Sequence, residues 1–351
     1  MRAARLYGVR DLRYELVNDP TPEPQEALVA VRAVGVCRTD VELYLQELLA
    51  YRTGQARLPI IPGHEWSGEV VEVGAQVERL RPGDRVVGEV AIGCGQCRAC
   101  RAGWYNVCPA RREVGIINHP GAFAELISLP ERMLHLIGNL PFDQAALIEP
   151  ITVALWAVQQ AHVSPGDRVA VLGTGPIGQL MLQAARCYGA SKVMIAGRSQ
   201  PKLDLALYLG ADAAISVRHD YLTASVQALT DGEGFEVVLE ATGNPAAVAD
   251  ALVLAGVRGR IVLAGVFSDR RHPLDLDQII ARELEIKGVV GGPYVWHEAI
   301  ELASGGRIRT QSLISRSLPL SEAKTALELV LTGDPQLVKV VLIPGMEAAA
   351  T

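Results

Sequence analysis

At 351 residues the chain is longer than a single hydrophobic core usually grows, and 49% hydrophobic with 21% charged residues describes a globular protein rather than a disordered one. A net charge of -6, without any run of Lys or Arg, offers nothing to a phosphate backbone and excludes nucleic acid as an expected partner. The opening Met1-Arg2-Ala3-Ala4-Arg5 lacks the apolar core of a secretory signal, and no apolar run spans a bilayer without a charge, Pro or Gly. A cytoplasmic protein with no membrane partner is therefore expected.

Up to about position 150, short β-type runs at 27–34, 68–73 and 85–90 are divided by turns such as Arg81-Pro82-Gly83-Asp84, which predicts a mostly β domain. Within it stands the spacing Cys94-x2-Cys97-x2-Cys100-x7-Cys108. In a cytosolic chain such clustering reads as metal ligation before it reads as disulfides. Four thiolates on one loop suit an all-sulfur tetrahedral zinc site, and with every position filled such a site is structural. An iron–sulfur cluster is the competing reading, because Cys108-Pro109 and the first three spacings are similar to a ferredoxin run. That run, however, has three residues before its last cysteine, where this chain has seven.

From Arg168 the texture changes. Strands at 169–172, 192–196, 236–241 and 259–265 alternate with helices at 178–188, 201–209 and 245–254, which predicts an α/β domain with a parallel, doubly wound sheet. Gly173-Thr174-Gly175-Pro176-Ile177-Gly178 links the first strand to the first helix. Gly173 permits a tight turn, Gly175 lets a pyrophosphate approach the backbone, and Gly178 lets helix pack on strand. The helix opened by Pro176 and Ile177 presents free N–H groups to the phosphates. At the end of the next strand, where NAD enzymes carry an acid, the sequence reads Gly197-Arg198-Ser199, with Lys202 following and the nearest acid, Asp204, already inside a helix. Arg198 and Ser199 can hydrogen-bond a 2′-phosphate, so NADP is expected, with NAD the alternative if Arg198 merely stacks on adenine or faces solvent. Cys187, on the apolar face of the first helix, reads as a small buried hydrophobe. After Ile286-Lys287-Gly288-Val289-Val290 come helices at 297–303 and 321–331 and a strand at 338–343 that is expected to return to the first domain. The tail at 347–351 is expected to fray.

Gly35-Val36-Cys37-Arg38-Thr39-Asp40, Pro62-Gly63-His64-Glu65, Val73-Gly74, Pro82-Gly83-Asp84-Arg85-Val86, the cysteine lobe, Ile148-Glu149-Pro150 and the Gly173 turn follow the order found in zinc-containing medium-chain dehydrogenases. The chain resembles that family over nearly its whole length. The resemblance implies a GroES-like, mostly β catalytic domain made of 1–152 and 291–351, carrying a structural zinc lobe at 93–109, with a Rossmann domain at 153–290 inserted. It implies two zinc ions per subunit. Cys94, Cys97, Cys100 and Cys108 would hold the structural ion, and Cys37 and His64 the catalytic one, with Glu65 and Glu149 as third ligand and partner of the bound water in an order left open. Thr39 resembles the hydroxyl that takes the substrate alcohol's proton, and Asp40 the acid that orients His64. Cys, His and a carboxylate are suitable ligands for a catalytic zinc with one open position. Spacing does not bring Cys37, His64 and Glu149 together; outside these motifs His64 reads as an ordinary histidine and Cys37 as a buried hydrophobe.

Leu147-Ile148-Glu149-Pro150-Ile151-Thr152-Val153-Ala154 resembles the sorbitol/polyol branch. Threonine dehydrogenases usually carry histidine three residues before the first lobe cysteine, where this chain has Ala91. Gly291-Gly292 stands where animal sorbitol dehydrogenases have Arg-Tyr in the substrate pocket, and the four lobe cysteines, lost in many of those enzymes, are all kept. Glu42 occupies the place of a proton-relay histidine in other alcohol dehydrogenases and of glutamate in archaeal glucose dehydrogenases. The expected reaction is NAD(P)-linked interconversion of a secondary alcohol, of polyol, sugar or cyclitol type, and its ketone. The alternatives are aldose oxidation at C1 and threonine-type amino-alcohol oxidation; a dinucleotide-binding scaffold without turnover is disfavoured by the intact ligand set. Related enzymes suggest a homotetramer or homodimer.

Overall fold

The computed structural model describes residues 1–217, 222–268 and 273–347, so the expected fraying of 348–351 lies outside the described residues. The chain forms two compact units, one of Met1–Glu149, Trp296–Ser304 and Thr310–Thr351, the other of Pro150–Val295 and Gly305–Arg309.

The first unit is organised around the strand Glu26–Val36, an almost continuous apolar run that is buried along most of its length. Such a run needs partners on both edges. It has them: Glu65–Val73 and Lys339–Ile343 flank it antiparallel, and Leu126–Pro130 pairs with its first half. The sheet continues through Arg85–Gly88 and Leu134–Leu136 on one side and Ile314–Pro319 on the other. Trp66, Phe123, Tyr44 and Leu129, each no more than 1% exposed, fill the core beneath it. A hairpin of Arg2–Gly8 and Asp11–Leu16, which the sequence pattern did not suggest, is set by a turn with Arg10 at φ 57°. The last strand begins at Lys339, so a lysine enters the sheet at the head of an apolar run.

The second unit holds a six-stranded, wholly parallel sheet in the order Ala213–Ser216, Lys192–Gly197, Arg168–Leu172, Phe235–Glu240, Ala255–Leu263, Glu285–Gly288. This is the 3-2-1-4-5-6 order of doubly wound dinucleotide-binding sheets, whose ligands lie at the carboxyl ends of the first and fourth strands, where the order reverses. Helices Pro176–Cys187, Gln200–Tyr208 and Pro245–Leu254 pack on the sheet within a residue or two of their expected limits. Cys187 departs from expectation. It is half-buried at the helix end, its Sγ 3.9 Å from the Arg307 carbonyl, rather than enclosed.

Candidate active site

Cys37 follows directly on the central strand and precedes the short helix Arg38–Tyr44. Asp40, fully buried in that helix, accepts the Cys37 N–H at 2.8 Å and the Gly63 N–H at 3.2 Å, and so ties the Cys37 turn to the turn that carries His64. Its Oδ1 lies 3.4 Å from His64 Nδ1, a buried nitrogen that makes no hydrogen bond among the described residues. His64 is held by burial, which alone would lower its pKa, and by the Asp40 and Cys37 charges, which raise it well above the usual imidazole value. Glu65 opens the next strand and sits opposite Gly35, where a Cβ would overlap the Glu65 carboxylate. Ligand atoms of Cys37, His64 and Glu65 all lie within 4.8 Å of one another. Thr39 Oγ1 is 3.7 Å from Cys37 Sγ.

Glu149 is not in that group of three, but it is close enough to feel the charges of His64, Glu65, Lys339 and Asp40. Although part of its surface stays open, lost hydration pushes its carboxyl up to about 7, with His64 and Lys339 pulling the other way and Glu65 reinforcing the rise. A divalent cation among these groups would reverse that balance and keep the acids ionised. Glu42 is buried and lies 4.0 Å from the Arg38 guanidinium.

The cysteine lobe is compact and local. Cys97 and Cys108 Sγ are 3.7 Å apart, Cys94 and Cys100 Sγ 4.0 Å, and all four sulfurs lie within 4.8 Å of one another. Tetrahedral ligation at the usual zinc–sulfur distance requires edges of about 3.8 Å, so the spacing of the sulfurs is one that could hold an ion, and none of the four is in a disulfide. Backbone N–H groups of Gln96 and Cys97 draw the Cys94 pKa down to about 6, and burial pushes that of Cys100 up to about 11.

In the second unit, Gly173 has φ 115°, and a Cβ on Gly178 would overlap the Gly173 carbonyl, so both glycines are required by the turn itself. Gly175, the N-cap of the helix that starts with Pro176 and Ile177, has open space where a Cβ would stand. Gly197 is buried against Thr174, while Arg198 is exposed and has no ion-pair partner among the described residues. Ser199 stands at the N-cap position of the next helix, and the carbonyl of Lys202 accepts the Gln179 amide at 2.7 Å.

Residues 23–139 match the family of alcohol dehydrogenase GroES-like domains, and residues 176–305 match the zinc-binding dehydrogenase family. A sorbitol dehydrogenase of Bacillus subtilis is 30% identical over 98% of this chain and 97% of its own length. An L-threonine 3-dehydrogenase of Bacillus licheniformis is 34% identical over 94% of this chain and 95% of its own. A zinc-binding dehydrogenase from Sinorhizobium meliloti, solved with NADP, superposes with a TM-score of 0.91 at 32% identity, covering 98% of this chain and 99% of that one. The chain belongs to the zinc-binding alcohol dehydrogenase family.

Two residues of this dehydrogenase escaped sequence reasoning. Lys339 is 3% exposed and gives its ammonium to both Glu65 oxygens, at 2.8 and 2.6 Å, and to the Val36 carbonyl at 3.3 Å. Burial alone would lower its pKa, but the Glu65 and Cys37 charges raise it. A lone charge in the run Val338-Lys339-Val340-Val341-Leu342-Ile343 was the available signal. Glu240, fully buried at the end of its strand, accepts the N–H groups of Thr242 at 2.6 Å and Gly243 at 2.9 Å. It thereby fixes the loop against which Gly173 packs.

Proposed function

We propose that this dehydrogenase interconverts a secondary alcohol of polyol, sugar or cyclitol type and its ketone, using NADP, one catalytic zinc and one structural zinc per subunit. The convergence of Cys37, His64 and Glu65 ligand atoms within 4.8 Å carries the proposal. When bound, the catalytic zinc polarises and acidifies the alcohol oxygen, and NADP accepts the hydride. The protein's own groups do the rest. Asp40 fixes the Cys37 and His64 turns relative to each other. The Thr39 hydroxyl, half-buried beside Cys37, is the acceptor for the alcohol's proton, and the Glu149 carboxylate, close enough to feel the charges of His64 and Glu65, is the next group that can hold it. Cys94, Cys97, Cys100 and Cys108 hold the second ion with no open position, so that ion serves the fold.

Arg198, exposed and without an ion-pair partner among the described residues, supports NADP over NAD, in keeping with the cofactor in the Sinorhizobium meliloti structure. Gly291-Gly292 supports a substrate pocket less charged than an Arg-Tyr pair would make it. The 34% identity to the Bacillus licheniformis enzyme keeps an amino-alcohol substrate as the second reading. The edge strand Glu285–Gly288 is exposed along its length, with Ile286 and Val290 on or beside it, which supports a homodimer or homotetramer joined through that edge. A panel of polyols, sugars, cyclitols and threonine, assayed with NAD and NADP after zinc quantification, tests the assignment. Turnover of a secondary alcohol with higher kcat/KM for NADP is expected, whereas a higher value for NAD would overturn the cofactor preference. Sedimentation gives the subunit number.

A further inference from the structure

Register delivers Lys339 to the metal-ligating cluster. Val340 pairs with Val36 and Val341 with Gly35, so the lysine lies beside the point where the central strand gives way to Cys37. All three N–H bonds of the ammonium are used there, two on the Glu65 oxygens and one on the Val36 carbonyl. A lysine enclosed to this degree sheds its hydration and its rotamer freedom, and persists only where its charge is compensated. The compensating group is itself one of the three whose ligand atoms converge within 4.8 Å. Gly35 leaves the room that the Glu65 carboxylate needs to face the ammonium.

We propose that Lys339 is a positioning residue for the zinc centre: by chelating both Glu65 oxygens it keeps that carboxylate a weakly held, exchangeable ligand. The inference rests on zinc being held by Cys37, His64 and Glu65. A carboxylate that accepts a charge-assisted hydrogen bond at each oxygen has less electron density to give a metal, and a fixed cation nearby repels a divalent ion. Without the ammonium, Glu65 turns fully to the metal, and the open position becomes less available to an alcohol. A purely structural ion pair between two strands would instead affect metal-free and zinc-loaded protein alike.

Zinc release to a chromogenic chelator tests this in the loaded wild-type enzyme, in Lys339→Met and in the double variant Glu65→Gln/Lys339→Met. Cys37→Ser identifies the zinc in question as the one it lacks. Release from that centre is expected to slow about tenfold or more in Lys339→Met, with KM for the alcohol raised, because Glu65 competes for the open position, and KM for NADP little changed. Zinc is also expected to raise the Tm of Lys339→Met by more than it raises that of wild type. Unchanged or faster release, with equal loss of Tm in metal-free and loaded protein, would overturn the proposal. Should Lys339→Met not fold, Lys339→Gln, which keeps a donor to Glu65 without the charge, decides: slower zinc release than wild type is expected, and release at the wild-type rate or faster would overturn the proposal. The double variant, in which the carboxylate ligand is gone, is expected to release zinc faster than wild type; release at the wild-type rate would show that Glu65 does not hold the metal and overturn the proposal. Equal zinc content in wild type and Cys37→Ser would overturn the zinc assignment itself, and this inference with it.

Discussion

The two clusters of candidate metal ligands in the first unit are built in opposite ways. Cys94, Cys97, Cys100 and Cys108 come from one loop, range from exposed to buried, and are supported mainly by their own backbone N–H groups, as when Cys97 Sγ accepts the Cys100 N–H at 3.3 Å. Cys37, His64 and Glu65 come from a strand end, a turn and a second strand, and they sit among Asp40, Glu149 and Lys339, with His64, Glu65, Asp40 and Lys339 each no more than 4% exposed. A local cluster needs only the spacing that closes a loop. A dispersed cluster needs a scaffold that aligns separate segments and balances the charges it buries. The lobe is therefore built to be filled and left alone, whereas the buried cluster is built with charge in reserve.

The strongest way to break this contrast is to remove one thiol from each cluster. Cys37→Ser is expected to lower turnover by about a thousandfold or more while NADP still binds, as checked by steady-state kinetics and cofactor fluorescence. Cys108→Ser, by contrast, should cost the protein one zinc and lower its Tm by about 10 °C, yet leave kcat per folded molecule within about threefold of wild type. Equal losses of turnover in the two variants would show that the clusters are not distinct in role. A smaller effect is expected from Gly35→Ala, whose new methyl group overlaps the Glu65 carboxylate: about 1–3 kcal/mol of stability, measured by urea unfolding, with zinc lost from the buried cluster and retained by the lobe.

The gentlest test is pH. Both Glu149, raised from 4.5 to about 7, and His64, raised above 6.5, bind protons more strongly in the folded metal-free protein than in the unfolded chain. Each therefore contributes stability at low pH that is lost as pH rises through its folded value. Chelator-treated protein is expected to become less stable as pH rises from about 4.5 through about 7 and on through the raised His64 value, and Glu149→Gln to flatten the part between 4.5 and about 7. Zinc-loaded protein should show the opposite slope, because ligation requires the deprotonated groups. Thermal melts across that range, with and without chelator, measure both.

Much of this was legible in the sequence where the physics is local. The cysteine spacing, the strand-turn-helix around Gly173, Gly175 and Gly178, and the alternation that builds the parallel sheet depend on residues a few positions apart. Cys37, His64, Glu65 and Glu149 were reached only through resemblance to a family, because nothing in their spacing joins them. Lys339 was passed over: in a string of apolar residues one lysine reads as a solvent-facing position, and it becomes a buried cation only when the last strand pairs with the central one. Glu240 was missed for the same kind of reason, since its partners Thr242 and Gly243 look like an ordinary turn until the carboxylate is seen to fold back onto their N–H groups.

The sequence by itself determined which local motifs exist, because loop closure, glycine geometry and hydrophobic period act over a handful of residues. Tertiary structure alone decided which charges meet. The pairing of Glu65 with Lys339, 274 positions away, is set by strand register, and register follows from burying the whole apolar face of a sheet rather than from either residue.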